Sequence, residues 1–94
     1  GTLCYLLRGG RAIAELFESK SLVGLLEQKD YTDSLKELED KAVNTDKVCK
    51  WCSFEPDFTR IAEGILSAKI SYEVAVPLGK VVYKTDVVRK TITV

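Results

Sequence analysis

Histidine is absent from this chain of 94 residues. Its absence excludes Ser-His-Asp triads, Cys-His dyads, histidine metal ligands and histidine proton shuttles within the chain itself. Phosphate-binding loops are lacking as well, because the pair Gly9 and Gly10 begins no GxGxxG pattern and no GK[ST] triplet occurs. With these routes to catalysis closed, we expect a protein that acts by binding and is not an enzyme.

Methionine and long apolar runs are also missing. The chain begins with glycine and contains no methionine, from which we expect a processed N-terminus or a domain excised from a longer protein. No apolar run approaches the roughly 20 residues that span a bilayer, and no signal peptide is recognisable. Residues 1–94 have the length of one domain, so we predict a single domain without a membrane span.

Cysteine is scarce, with three residues, and an odd number is atypical of a secreted disulfide scaffold. We therefore expect an intracellular location in a reducing compartment, the cytoplasm. Two of the three, Cys49 and Cys52, have CxxC spacing. Free cysteine behaves as a small buried hydrophobe, and Val48, Trp51 and Cys52 would share one face of a short helical turn. Packing in the core is therefore our first interpretation of this motif.

Two chemical alternatives remain open for Cys49 and Cys52. In the first, the two thiols form a redox-active disulfide and Lys50 lowers the pKa of one of them. In the second, both are zinc ligands and Cys4 is a third, although closed zinc sites usually use two ligand pairs and this chain has one. A small thiol-redox or zinc-binding protein is thus an alternative function, and zinc is the only cofactor that the sequence suggests.

Charge is balanced overall but unevenly distributed. Fourteen basic residues match fourteen acidic ones, so net charge gives no attraction to nucleic acid or to an anionic membrane. Residues 12–46 contain nine acidic residues and four lysines, whereas residues 69–94 contain five basic residues and two acidic ones. The C-terminal part is therefore suited to an acidic partner, which includes another copy of the same chain.

The hydrophobic period changes near residue 69, from helical to strand-like. Before this point the most regular helical spacing is in the segment 57–69, with Asp57 as its predicted N-cap. Its apolar stripe consists of Phe58, Ile61, Ala62, Ile65 and Leu66. Beyond it, the segment 70–76 alternates apolar with polar or small residues, as a half-buried strand does. We predict an α+β fold in which N-terminal helices pack on a small C-terminal antiparallel sheet.

Shorter helices are predicted in the first half of the chain. Gly9 and Gly10 predict a break, followed by a helix over 11–20. Ser19 or Ser21 is the predicted cap of a second short helix, which would carry Leu22, Val23, Leu25 and Leu26. Ser34 and Glu37 have the spacing of a capping box, which predicts another helix that begins at Ser34.

The C-terminal segment is predicted to contain a hairpin and a third strand. The segment 77–80 is typical of a turn, because proline presets φ and glycine supplies a positive φ. The return strand covers 81–85, Asp86 marks a second bend, and 87–94 forms the third strand.

A non-catalytic interaction or assembly domain is the function that we expect. An edge strand at the C-terminus would pair with a protein partner or with a second copy, and a homodimer is the simplest such assembly. The predicted interface residues are Arg89, Lys90, Thr91, Ile92, Thr93 and Val94.

Nucleic-acid binding is the second alternative. Helices followed by a hairpin have the layout of a winged helix, with 57–69 as recognition helix and 77–80 as the tip of the wing. The phosphate contacts would then be Arg60, Lys69, Lys80 and Lys84. The balanced charge of the predicted helix argues against this alternative.

Overall fold

Two helices are followed by a three-stranded antiparallel sheet with strand order β1-β2-β3. The computed structural model describes residues 1–22, 24, 26–76 and 79–90. In chain order the elements are α1 (Thr2–Leu22), α2 (Gln28–Asp40), a π-helical turn (Lys41–Thr45), β1 (Trp51–Asp57), a 3-10 turn (Ile61–Glu63), β2 (Ile65–Val76) and β3 (Gly79–Lys90). The predicted α+β fold, with N-terminal helices and a C-terminal antiparallel sheet, is confirmed.

The first helix runs through the glycine pair that was predicted to break it. A methyl group at Gly9 would lie 2.7 Å from the Leu38 side chain, so glycine allows α2 to approach closely. The buried positions of α1 are spaced three or four residues apart, as expected of one continuous amphipathic helix; they are Leu6, Gly10, Ala14 and Phe17. The predicted break at Gly9 and the separate helix over 11–20 are therefore wrong. The second short helix predicted after Ser19 or Ser21 is wrong as well, because both serines lie within α1, which ends at Leu22, and Gly24 has a positive φ of 73°.

The second helix begins earlier than its predicted capping box. Gln28 is its first residue, and the Glu27 carbonyl accepts hydrogen bonds from the amides of Asp30 and Tyr31. Ser34 therefore lies in the middle of the helix. The buried residues of α2 are Tyr31 and Leu35, one helical turn apart. Burial of Tyr31 stabilises the first turns of the helix, although the neighbouring residues are polar.

The predicted helix over 57–69 is not formed. Asp57 ends β1 and accepts hydrogen bonds from the amide and the hydroxyl of Thr59, which turns the chain. Gly64 then adopts a left-handed conformation with φ of 75° and ends the 3-10 turn. The next segment is β2, which pairs on both sides with other strands. Hydrogen bonding along two ladders outweighs the local helical spacing, so the sheet begins at β1 rather than near residue 69.

The central strand β2 has two different faces. Leu66, Ala68, Ile70 and Tyr72 are buried beneath the helices, as the alternating pattern of a strand requires. The intervening positions form the outer face of the sheet, and helices cover only one side. The domain thus consists of one helical layer on one sheet.

The predicted hairpin between β2 and β3 is confirmed by antiparallel pairing that places Val76 opposite Gly79. The return strand begins at Gly79 and not at residue 81, so β3 includes the last two residues of the predicted turn. The predicted bend at Asp86 is wrong, because β3 is continuous and Asp86 pairs with Lys69. Pairing along the full length of β2 keeps the strand extended through this position. Residues 91–94 of the predicted third strand lie outside the described residues.

An aromatic cluster joins both helices to the turn between β1 and β2. Tyr31 of α2 contacts Phe17 of α1 and Phe58 edge to face, at centroid distances of 5.7 Å and 5.8 Å. The Tyr31 hydroxyl is buried without a hydrogen-bond partner among the described residues, and burial raises the pKa of Tyr31 to about 12.

No helix in the described part of the chain has the length and hydropathy needed to cross a membrane. The longest, α1, has 21 residues and contains Arg8, Arg11, Glu15, Glu18 and Lys20.

We predict that Tyr31→Phe preserves or raises stability. The variant keeps the ring contacts and removes a buried hydroxyl without a partner, which is worth up to about 1–3 kcal/mol. Tyr31→Ala should instead lower the free energy of unfolding by about 3–5 kcal/mol, because it leaves a cavity. Urea unfolding measures both, and a clear loss of stability in Tyr31→Phe would show that the hydroxyl has a partner.

Candidate functional site

The two outer strands of the sheet, β1 and β3, have very different free edges. An unpaired strand edge presents amide and carbonyl groups to any chain that can pair with them. The edges are therefore the first place to look for an interaction site in a domain of this architecture.

The edge of β1 is covered by the C-terminal part of α2. The Glu39 carboxylate accepts a hydrogen bond of 2.6 Å from the Phe54 amide, and the Cys52 thiol points to the Glu39 carbonyl oxygen at 3.8 Å. Amides alternate in direction along a strand, so Pro56 falls on the same edge as Phe54, where proline has no amide to offer. This edge is closed to another strand.

The edge of β3 has no such cover within the described residues. All 12 residues of β3 pair with β2, and no described strand pairs with the opposite side. The sequence of β3 is rich in strand-forming residues, which are Val81, Val82, Tyr83, Thr85, Val87 and Val88. It also carries several charged residues, which are Lys80, Lys84, Asp86, Arg89 and Lys90.

Part of the predicted interface lies on this edge. Arg89 and Lys90 are the last two residues of β3, whereas Thr91, Ile92, Thr93 and Val94 lie outside the described residues. Sequence reasoning placed an edge strand at residues 89–94 and missed the larger, central part of the free edge, which β3 forms from Gly79 onward. The reason is that a bend was predicted at Asp86, which divided the 12 residues of β3 into two shorter strands.

The three cysteines do not form a common group. Cys4 is exposed on α1, Cys49 is buried before β1, and Cys52 is half-buried on β1. The helical turn predicted to contain Val48, Trp51 and Cys52 is wrong, because β1 begins at Trp51. Trp51 is also 40% exposed and does not lie in the core. No group of three or more metal-binding side chains occurs in the described part of the chain.

Burial favours the neutral thiol form of both Cys49 and Cys52. It raises the pKa of Cys52 to about 12, with further contributions from Cys49 and Glu39. Burial also raises the pKa of Cys49, although a hydrogen bond from Cys52 acts in the opposite direction. Since the thiolate is the nucleophile in thiol chemistry, this environment does not favour redox reactivity at neutral pH.

The residues predicted to contact phosphates do not share a helix. Arg60 lies in the turn after β1 and forms an ion pair of 3.2 Å with Glu63. Lys69 is on β2, opposite Glu55 and Asp86, while Lys80 and Lys84 are on β3. The recognition helix on which the winged-helix alternative depended is therefore absent from residues 57–69, which fold as strand and turn.

Two hydrogen bonds that sequence reasoning did not find fix the start of α1. The Thr2 hydroxyl donates to the Val48 carbonyl oxygen at 2.7 Å, and the Tyr5 hydroxyl donates to the Asp46 carboxylate. The second bond raises the pKa of Tyr5 to about 12. Both partners are more than 40 residues away in sequence, so no local pattern could have indicated them.

An open apolar groove of about 660 Å³ lies between the start of α1 and β2. Its lining includes Leu3, Cys4, Leu7, Tyr72 and Val74.

No protein-family model matches the chain, and no curated protein or solved structure is significantly similar to it.

We predict that Glu39→Ala opens the edge of β1. The Phe54 amide loses its acceptor, so the free energy of unfolding should fall by about 1–3 kcal/mol and this amide should exchange faster. Glu39→Gln keeps an acceptor oxygen and is the matched control, with a smaller effect. Urea unfolding and amide exchange by NMR measure both quantities. Equal behaviour of the two variants would contradict the role given to the carboxylate.

Alkylation should separate the cysteines by their environments. At pH 8, iodoacetamide should modify exposed Cys4 first and Cys52 at least about tenfold more slowly, because the Cys52 thiolate becomes abundant only as the pH approaches its pKa. Peptide mass spectrometry over a time course gives the three rates. If Cys52 reacted as fast as Cys4 in the folded protein, the thiol alternative would regain its basis.

Proposed function

We propose that this domain is a non-catalytic interaction and assembly module that pairs a strand of a second protein chain with the free edge of β3. The observation that supports this proposal is the difference between the two edges of the sheet. The edge of β1 is closed by Glu39 and by Pro56, whereas β3 has no neighbour on its outer side among the described residues.

The length of β3 strengthens the argument. Twelve residues at about 3.4 Å each give a strand of roughly 40 Å, about twice the usual length of 5–6 residues. Natural proteins protect long edge strands, because unpaired amides and carbonyls invite uncontrolled pairing. A long strand opposite a closed edge is consistent with an edge reserved for a partner.

The charged residues of β3 make such pairing selective. Lysine on an edge strand opposes random association, and like charges directly opposite each other destabilise a strand pair. A partner strand must therefore place acidic residues opposite lysines and a basic residue opposite Asp86. Main-chain hydrogen bonds would supply the affinity, and these charges would supply the selection.

Amide exchange measured residue by residue tests the proposal. In the free domain, every second amide of β3 bonds to β2 and the others face outward. Raising the protein concentration should slow exchange of the outward set about tenfold or more as assembly proceeds. The Phe54 amide, bonded to Glu39, is the internal control and should not respond.

Assembly at another surface would give a different pattern. If the concentrated protein associates while the outward amides of β3 continue to exchange rapidly, the free edge of β3 is not the interface and the proposal fails.

A further inference from the structure

The distribution of charge along β3 identifies a partner for its free edge, and this inference rests on the proposed function. β3 contains a single acidic residue, Asp86, among four basic ones. Within the chain, Asp86 lies opposite Lys69, which in turn lies opposite Glu55. Acidic and basic residues therefore alternate along this row across all three strands, and the next position, beyond Asp86, requires a basic residue.

The cross-strand row that contains Lys84 lacks an acidic residue. Lys84 lies opposite Ser71, and Ser71 lies opposite Ser53, so this row contains no acidic residue. The position beyond Lys84 therefore favours an acidic residue. The two rows are two residues apart on the same strand, which is the arrangement that a two-fold axis through Thr85 would interchange.

We propose that the occupant of the free edge is β3 of a second copy, paired antiparallel about a two-fold axis at Thr85. This register places Asp86 of each copy opposite Lys84 of the other. It also pairs Tyr83 with Val87 and Val82 with Val88, which are aromatic and β-branched pairs of the kind that stabilises sheets. The result is a six-stranded antiparallel sheet with the helices of both copies on one face.

Two other two-fold registers would also pair Asp86 with a lysine, and they differ from the proposed register in how much of β3 they pair. An axis at Tyr83 would place Asp86 opposite Lys80 and would pair only residues 79–87 of β3. An axis at Val88 would place Asp86 opposite Lys90 and would pair only residues 86–90 of the described strand. The axis at Thr85 pairs residues 80–90, the longest overlap of the three, and its one unfavourable pair, Lys80 with Lys90, lies at the ends.

Charge reversal tests the register through dimerisation measured by analytical ultracentrifugation. In a dimer of the Lys84→Asp variant, the new aspartate of each copy would lie opposite Asp86 of the other copy, which gives two acidic pairs. In a dimer of the Asp86→Lys variant, the new lysine of each copy would lie opposite Lys84 of the other, which gives two basic pairs. Each variant alone should raise the dimer dissociation constant about tenfold or more. Mixing the two should restore a heterodimer of near wild-type affinity, because both pairs become favourable again. Lys36→Asp, at an exposed position of α2, is the matched control and should dimerise like wild type.

Other outcomes overturn the inference in distinguishable ways. Restoration of Asp86→Lys by Lys80→Asp or Lys90→Asp, and not by Lys84→Asp, would assign a rival register while leaving the edge of β3 as the interface. A wild-type protein that stays monomeric would exclude the second copy as the partner. Asp86→Lys also opposes Lys69 within the chain, so circular dichroism must confirm its fold; Asp86→Asn avoids that contact and should weaken the dimer to a lesser degree.

Discussion

The alternation of buried residues along β2 places one continuous apolar face in the middle of the sheet, and both helices depend on it. Leu66 and Ile70 are completely buried there, and burial of such a side chain contributes about 1.5–3 kcal/mol. Leu6 of α1 and Leu35 of α2, also buried, belong to the same core. β2 pairs with β3 along its whole length and with β1 over residues 67–73, while its inner face packs against the helical layer.

The same arrangement explains why the two edges differ. α2 packs against β1, which brings Glu39 to the outer side of that strand, while α1 packs over β2 and β3. The helices therefore contact all three strands on the inner face of the sheet, whereas only β1 has a helix residue bonded to its outer edge among the described residues. Within the described residues, the difference between the two edges thus follows from how the two helices are distributed over three strands.

Local sequence patterns predicted the fold class and the β2–β3 hairpin, because alternation over 70–76 and the turn residues at 77–80 are short-range signals. The helix predicted over 57–69 failed since its spacing was compatible with a turn followed by a strand. Gly64, which weakens a helix interior, was the residue that argued against it.

The candidate site was less accessible to sequence reasoning than the fold. The hydrogen bond from the Phe54 amide to Glu39 joins residues 15 positions apart, and the pairing of Asp86 with Lys69 depends on the register of the hairpin. The continuity of α1 depends on the close approach of Leu38 to Gly9. Such contacts exist only after the layers have packed, so no local pattern encodes them.

The two glycines inside α1 make its first half dependent on contacts with the rest of the domain. Two glycines in a helix interior cost about 2 kcal/mol relative to alanine, so the first half of α1 is a weak helix on its own. In the folded domain its first turns are held by the hydrogen bond from Thr2 to the Val48 carbonyl oxygen and by the close approach of Leu38 to Gly9. We therefore expect local opening of the domain to begin at these N-terminal turns.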